Sequence, residues 1–569
     1  MGLTHGQAIA ALTGPGAPCE MEERVIRGIP TRTWKHSPPH LRALFEQGYA
    51  HGAAEFIVYE GQRLTFDAHS RAVEALADAL VARFGVVKGD RVAIALRNLP
   101  EWPIAFFAAA AIGAIVVPLN AWWTGAELEY GLADSASRIL ICDGERLERI
   151  APHLPVLDAL KATIVVRHDG PMPTGILKLD ELIGPFSAFA ELPRRRLPKV
   201  DLAPEDDATI FYTSGTTGRP KGALGTQRNF TTNLVSLVFN QLRAKLRNGE
   251  PLPEPGEAVP KRSVLLSVPF FHATGCHSVL QAAYFAGNKI VLIRKWDPEL
   301  ALALIESEAI TQFGGVPAMA WQVLEHPDFA KYDTSSIEAV SYGGAPAAAE
   351  LVARIGKKFP RSTAGNGYGL TETSSVTTQN LGIDYPLKPD SVGPAVPVCD
   401  IKIVGADLAI LPAGAVGEVW IKGPNVVKGY WNKPEATAET ITGGWLHSGD
   451  IGRLDEEGFL YILDRAKDML IRGGENVYCV EVEGALFSHP AVMDAAVIGL
   501  PHRILGEEVG AVVQLKPGMA LDEAELKAHV AARLAAFKVP VRIEFRTEPL
   551  PRNANGKILK RQLKAEIAG

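Results

Sequence analysis

The chain has 569 residues, 47% of them hydrophobic, enough to bury a large core and to divide into more than one domain. Its 58 Lys and Arg against 64 Asp and Glu give a formal charge of −6, which excludes the basic footprint of a general nucleic-acid binder. Five cysteines, odd in number and at no metal-ligand spacing, argue against a disulfide scaffold or a zinc site and fit a reducing, cytoplasmic setting.

The first twenty residues lack the basic start and apolar core of a secretory leader, and the last four, Glu566-Ile567-Ala568-Gly569, are not a peroxisomal address. From 40 to 150, helical and strand-like patterns alternate. Leu64-Thr65-Phe66-Asp67 reads as a helix entry, Ser70 to Phe84 as its helix, Val92 to Leu96 as a strand, and a further helix follows Pro100. Trp102 to Leu119 is the nearest approach to a membrane span. Its Pro103, Gly113 and Pro118, and the switch to Ile115-Val116-Val117, make it a buried helix feeding a buried strand, so no transmembrane segment is expected. Ile139 to Cys142 and Ala162 to Val166 continue the rhythm, which means parallel strands joined by helices. Pro193-Arg194-Arg195-Arg196-Leu197-Pro198-Lys199 reads as a solvated linker in preference to a docking site for anionic lipid or CoA. Asn248 to Lys261 reads as a surface loop.

Between these lies Thr213-Ser214-Gly215-Thr216-Thr217-Gly218-Arg219-Pro220-Lys221-Gly222, entered from the apolar Ala208 to Phe211. A strand emptying into small residues exposes backbone N–H groups, while hydroxyls and one lysine share the same volume, so the bend can cradle a phosphate. It is not the nucleoside triphosphatase loop: Pro220 and Gly222 stand where that pattern needs glycine and a hydroxyl.

Downstream, Val264 to Val268 leads into Pro269-Phe270-Phe271-His272-Ala273-Thr274, and the spacing of His272 and His277 is wrong for a metal pair. Two further apolar strands open into Gly314-Gly315-Val316 and Gly343-Gly344-Ala345, where missing side chains permit close approach of a flat ligand at a sheet's carboxyl edge. Ala273, Thr274, Phe313 and Val316 together predict an apolar pocket. Gly367-Tyr368-Gly369-Leu370-Thr371-Glu372-Thr373 places one carboxylate in an otherwise uncharged run. Leu454 to Leu463 reads as a hairpin, and beyond it helices and strands mix in an α+β pattern ending in a basic turn at Lys557.

The string Tyr212 to Gly222, with Gly367 to Thr373, Asp450, Lys467 and Lys557 in the same order, resembles the acyl-adenylate-forming (AMP-binding) superfamily, and within it the medium- and long-chain fatty acid type of acyl-CoA ligase. Gln227 departs from the pattern, since many members carry histidine there. The resemblance implies an α/β fold: a large N-terminal multi-subdomain α/β domain, residues 1–466, and a smaller, mobile α+β C-terminal domain, residues 467–569. It implies that ATP and AMP bind to Thr213 through Gly218, Lys221, Gly343, Gly344, Ala345, Tyr368, Gly369, Thr371, Asp450 and Arg465. Among these, Thr371 would meet the α-phosphate, Tyr368 would stack on adenine and Asp450 would hold the ribose. Glu372 would hold Mg²⁺, His272 would orient the acid, the pocket of Ala273, Thr274, Phe313 and Val316 would take the acyl substrate, Lys467 would be the hinge, and Gly473 and Gly474 would reach the CoA channel.

Lys557 would be the catalytic lysine, whose compact charge stabilises the crowded phosphorus, and its exposed turn would leave it open to silencing by acetylation. The expected reaction joins a small-molecule carboxylic acid, fatty or aryl-alkanoic, to coenzyme A through acyl-AMP, releasing AMP and pyrophosphate, and the enzyme is a homodimer candidate. Loading of a carrier protein, disfavoured because the chain stops just past Lys557, and a nucleotide-binding regulator without catalysis are the alternatives.

Overall fold

The computed structural model describes residues 2–213, 219–254, 257, 259–343, 349–473, 475–553 and 557–568. The alternation of helix and strand patterns becomes two eight-stranded sheets. In the first, Asp207–Thr213, Ile115–Pro118, Arg91–Ala95, Ile139–Asp143, Ala162–Val166 and Ile176–Lys178 run parallel, and Lys221–Thr226 returns antiparallel beside Asp207–Thr213. The helix Phe66–Ala82 starts where the sequence places it, with Thr65 Oγ1 accepting the Ala68 N–H. The helix Glu101–Ala111 is buried at every position, which is why its sequence is apolar all round. Its one charged residue, Glu101, is held by Arg167 Nε at 2.8 and 3.0 Å.

The second sheet has the parallel strands Thr363–Tyr368, Ala339–Gly343, Gln312–Gly315, Ser263–Leu266, Lys289–Leu292 and Glu55–Tyr59 between antiparallel edges. An antiparallel sheet follows, in which Trp445–Leu454 and Phe459–Arg465 form the expected hairpin and set Asp450 directly opposite Arg465. From Leu470 on, the described residues form five strands and three α-helices in a separate α+β unit with its own apolar core around Val482, Leu486, Val497 and Val513. The molecule is therefore α/β with a large N-terminal part and a smaller C-terminal one.

The helix Gln227–Asn248 packs on both large sheets. A capping box of Thr226 and Asn229 starts it, and Gly249 in the left-handed region ends it. Gln227, the departure from the family pattern, is fully buried, and its amide oxygen accepts the Leu41 N–H at 2.9 Å. Arg194 and Arg195 pair with Asp67, Glu74 and Asp78 on the helix Phe66–Ala82, so this part of the basic run pins a linker to the fold. Among the described residues no helix is long and apolar enough to cross a membrane, and all five cysteines are buried free thiols.

Candidate active site

The carboxyl ends of both large sheets and the Asp450 hairpin face one cavity of about 1810 Å³. At one end it is lined by Thr213, Lys221, Tyr368, Glu372, Arg465 and Lys557. At the other it reaches Lys245, Val259, Arg262 and Phe285.

At the first end, Tyr368 donates its hydroxyl to Asp450 Oδ2 at 2.7 Å, and Arg465 Nε lies 3.0 Å from Asp450 Oδ1. Burial pushes the Asp450 carboxyl up from its ordinary range, opposed by Arg465, Tyr368 and Lys557. Glu372 Oε1 accepts the Tyr430 hydroxyl at 2.8 Å, and its other oxygen has no hydrogen-bond partner among the described residues. Lys221 lies over the Tyr430 ring, 5.0 Å from its centroid. These contacts tie four separate chain segments around one volume. Close packing explains the glycines: a Cβ on Gly343 would lie 2.5 Å from Gly367 O, and one on Gly369 would lie 1.5 Å from Ser375 O.

Lys557 enters this end from the C-terminal part. Its N–H donates to Asn553 Oδ1 and its carbonyl accepts the Asn553 N–H, both at 2.9 Å, which anchors Lys557 to Asn553. The sequence places Lys557 on an exposed turn, whereas here its side chain is 37% exposed and faces the cavity, with Nζ 3.9 Å from Asp468 Oδ2. Burial, and then the neighbouring Arg465, lower its pKa from the ordinary lysine range.

The middle of the cavity is bounded by the short π-helix Thr274–Leu280, a local widening common at functional sites. His272 precedes it, and burial lowers its imidazole pKa to about 4, so the ring is neutral at physiological pH. Ala273, Thr274 and Val316 line the same region. Phe313 also borders it, but its ring packs against Phe359 in the core behind the strand, because side chains alternate across a sheet. Leu234, Leu237, Val238, Gln241 and Lys245 form a stripe at helical spacing along the opposite wall.

The cavity thus gathers Thr213, Lys221, Gly343, Tyr368, Gly369, Thr371, Glu372, Arg465, Lys467 and Lys557, with Asp450 behind Tyr368 and Arg465. Gly473 is not on it: its turn has φ 59° and its N–H donates to Leu505 O. Ser214 through Gly218, Gly344, Ala345 and Gly474 lie outside the described residues. Sequence reading missed Tyr430, Ser278, Ser375 and the wall of the helix Gln227–Asn248; a tyrosine after Gly429 and the apolar stripe were the available signals.

A family model described as AMP-binding enzyme matches residues 44–431, and a second, AMP-binding enzyme C-terminal domain, matches residues 481–557. The chain belongs to the AMP-binding enzyme family. This AMP-binding enzyme is 38% identical over 542 residues to a long-chain-fatty-acid–CoA ligase of Bacillus subtilis (strain 168), covering 90% of this chain and 91% of that one. It is 37% identical over 518 residues to a feruloyl-CoA synthase of Amycolatopsis sp, covering 90% and 95%. Among solved structures, the anthranilate CoA ligase AuaEII in complex with anthranoyl-AMP superposes with a TM-score of 0.81 at 27% identity, covering 93% of this chain and 97% of that one. The AMP-binding enzyme is accordingly an AMP-forming acid–thiol ligase.

Proposed function

We propose that the ligase activates a long-chain fatty acid, and the single observation that carries this is the length of the cavity beyond His272. It follows the chain from Val268 back through the strand Ser263–Leu266 to Arg262, and the helix from Leu234 to Lys245. Six steps of near-extended chain at about 3.3 Å each and twelve helical residues at about 1.5 Å each both give roughly 18–20 Å. With carbon–carbon bonds of about 1.5 Å in a zigzag, that length suits an acyl chain on the order of sixteen carbons. An aryl-propenoic acid would leave the distal half empty.

In this reading the neutral His272 borders the acid's carboxylate without competing as a charge. The phosphate loop with Thr213, Lys221 and Thr371 holds the ATP phosphates, Asp450 takes the ribose hydroxyls, and Tyr368 with Gly343 borders adenine. Glu372 suits Mg²⁺: it is a hard oxygen donor with one unengaged oxygen, and no group of three metal-ligating side chains occurs among the described residues, so phosphates and water would complete the shell. Bound there, Mg²⁺ would supply charge neutralisation at the phosphates. The carboxylate oxygen attacks the α-phosphorus, pyrophosphate leaves, and the Lys557 ammonium offsets the charge gathering on the α-phosphate. The CoA thiol then attacks the acyl carbonyl and AMP leaves.

The C-terminal part, which we place at 467–569, stands with Lys557 on the cavity and Gly473 away from it. Rotation about Lys467 would exchange them for the second step. The test is CoA-dependent AMP formation across saturated acids of increasing length and across phenylalkanoic and cinnamic-type acids. The expected result is kcat/KM rising with chain length to a long-chain maximum; a maximum at short or aryl acids would overturn the long-chain assignment.

A further inference from the structure

The turn after Glu372 is strained. Ser374 and Ser375, neither of them glycine, lie at φ 52° and 87°, and such conformations persist only where the surroundings over-determine them. The turn's own bonds are local: the Ser374 and Ser375 N–H groups reach back to Thr371 O and Leu370 O, both at 3.1 Å. Two contacts come from elsewhere. The Val376 N–H donates to Asn233 Oδ1 at 3.0 Å, and the Ser375 and Ser278 hydroxyls meet at 2.7 Å.

Asn233 is fully buried on the helix Gln227–Asn248, and its other amide atom, Nδ2, donates to His277 O in the π-helix at 2.8 Å. An N–H on one side and a carbonyl on the other fix which amide atom is which. One side chain thus joins the π-helix, whose Thr274 and Ser278 line the acyl half of the cavity, to the turn that presents Thr371 and Glu372. Both ends are buried backbone groups, and without the amide the Val376 N–H would lose this partner.

We propose that Asn233 is a positioning residue that couples acid binding to nucleotide binding. An acid seated against the π-helix holds His277 O in place, Asn233 relays that position to Val376, and the strained turn keeps Thr371 and Glu372 in their nucleotide-binding arrangement. Coupling of this kind is reciprocal: acid tightens nucleotide by the factor by which nucleotide tightens acid. The inference rests on the acyl reading of the cavity, and its test separates the two.

The experiment is calorimetric titration of the full chain with the magnesium complex of α,β-methylene-ATP, which cannot transfer its adenylyl group, without and with the saturating acid that the activity survey selects. For the unaltered chain the acid should tighten the analogue by at least about fivefold. Asn233→Ala should weaken the analogue alone and reduce the coupling factor to below about twofold. Asn233→Asp, which keeps the acceptor but sets a carboxylate against His277 O, should lose coupling equally. Ser375→Gly in the Asn233→Ala background should restore affinity for the analogue alone, because glycine adopts the left-handed turn without cost, while leaving the coupling lost. Ser278→Ala, a milder change, should reduce coupling with unchanged thermal stability, and it decides the matter if Asn233→Ala does not fold. An unaltered chain without coupling, or folded Asn233 and Ser278 variants that retain it, would overturn the proposal. If only aryl acids bind, the long-chain assignment fails and the same titration with that acid still judges Asn233.

Discussion

Lys557 sits where two effects oppose its charge. Burial and the Arg465 guanidinium lower its pKa below the ordinary value near 10.4, while Asp468 and Asp450 pull the other way. The unfolded chain therefore holds this proton more tightly than the folded one. Keeping the ammonium costs stability at neutral pH, and that cost is relieved as pH rises through the folded value toward the unfolded one. In the proposed mechanism catalysis has the opposite sign, because there the cation offsets phosphate charge. Pyrophosphate exchange should fall as pH rises through the lowered pKa, earlier than an ordinary lysine would allow. Lys557→Ala should lose on the order of 10²–10³-fold in exchange rate and lack that alkaline limb, with a thermal midpoint at pH 7 no lower than that of the unaltered chain. A variant of unchanged rate, or a residual activity with the same alkaline limb, would remove Lys557 from the chemistry. At this scale, single candidate groups inside short motifs could be picked out from sequence, and both line the cavity: Glu372 stands alone in an uncharged run, and Lys557 follows a turn dipeptide. Their partners were not, since Tyr430 lies 58 residues from Glu372 and Asn233 lies 143 residues from Val376, and only the fold brings them together.

In the proposed long-chain reading, the helix Gln227–Asn248 sets how much of an acid can enter. Its Leu234, Leu237 and Gln241 recur at helical spacing along the cavity, and Leu237 stands about one turn beyond Asn233, past the carboxylate end. A Leu237→Trp side chain would project into the chain's path without touching the nucleotide end. It should raise KM for the longest acids by about tenfold or more, while medium-chain acids and ATP keep their values. Equal effects on all acids would mean that the chain runs elsewhere. Elements with one dominant physical cause could be read from the sequence: the capped helix at Phe66 from Thr65, and the buried helix Glu101–Ala111 from its unbroken apolar composition. The π-helix could not, because its i→i+5 widening follows from packing and leaves no distinctive residue pattern. The Phe313 ring likewise needed the sheet, since only the register of neighbouring strands shows which face an alternating side chain takes.

At the scale of the molecule, the proposed two-step reaction needs the small C-terminal sheet held with Lys557 inward for adenylation yet free to leave. The contact at its far side fits both needs. Lys516 lies 3.7 Å from Glu325 Oε2 and 6.0 Å from the centre of the Trp321 ring, while Glu325 Oε1 accepts Arg354 Nη1 at 3.0 Å. Glu325 and Lys516 keep only 21% and 18% of their side-chain exposure. A pair of this kind contributes about 0.2–1 kcal/mol, small enough to break at each turnover. Removing it should shift the balance between arrangements and leave the chemistry intact. Glu325→Gln should therefore slow pyrophosphate exchange by on the order of two- to fivefold at low salt, with unchanged KM for acid. Thioester formation from preformed acyl-AMP should hold steady or quicken, because the arrangement that exposes the CoA channel becomes more populated. High salt screens the charge pair in the unaltered chain and should bring it toward the variant, closing the gap as ionic strength rises. Two half-reactions slowed together, or a gap indifferent to salt, would show that Glu325 serves the fold of the large domain and not the arrangement of the small one.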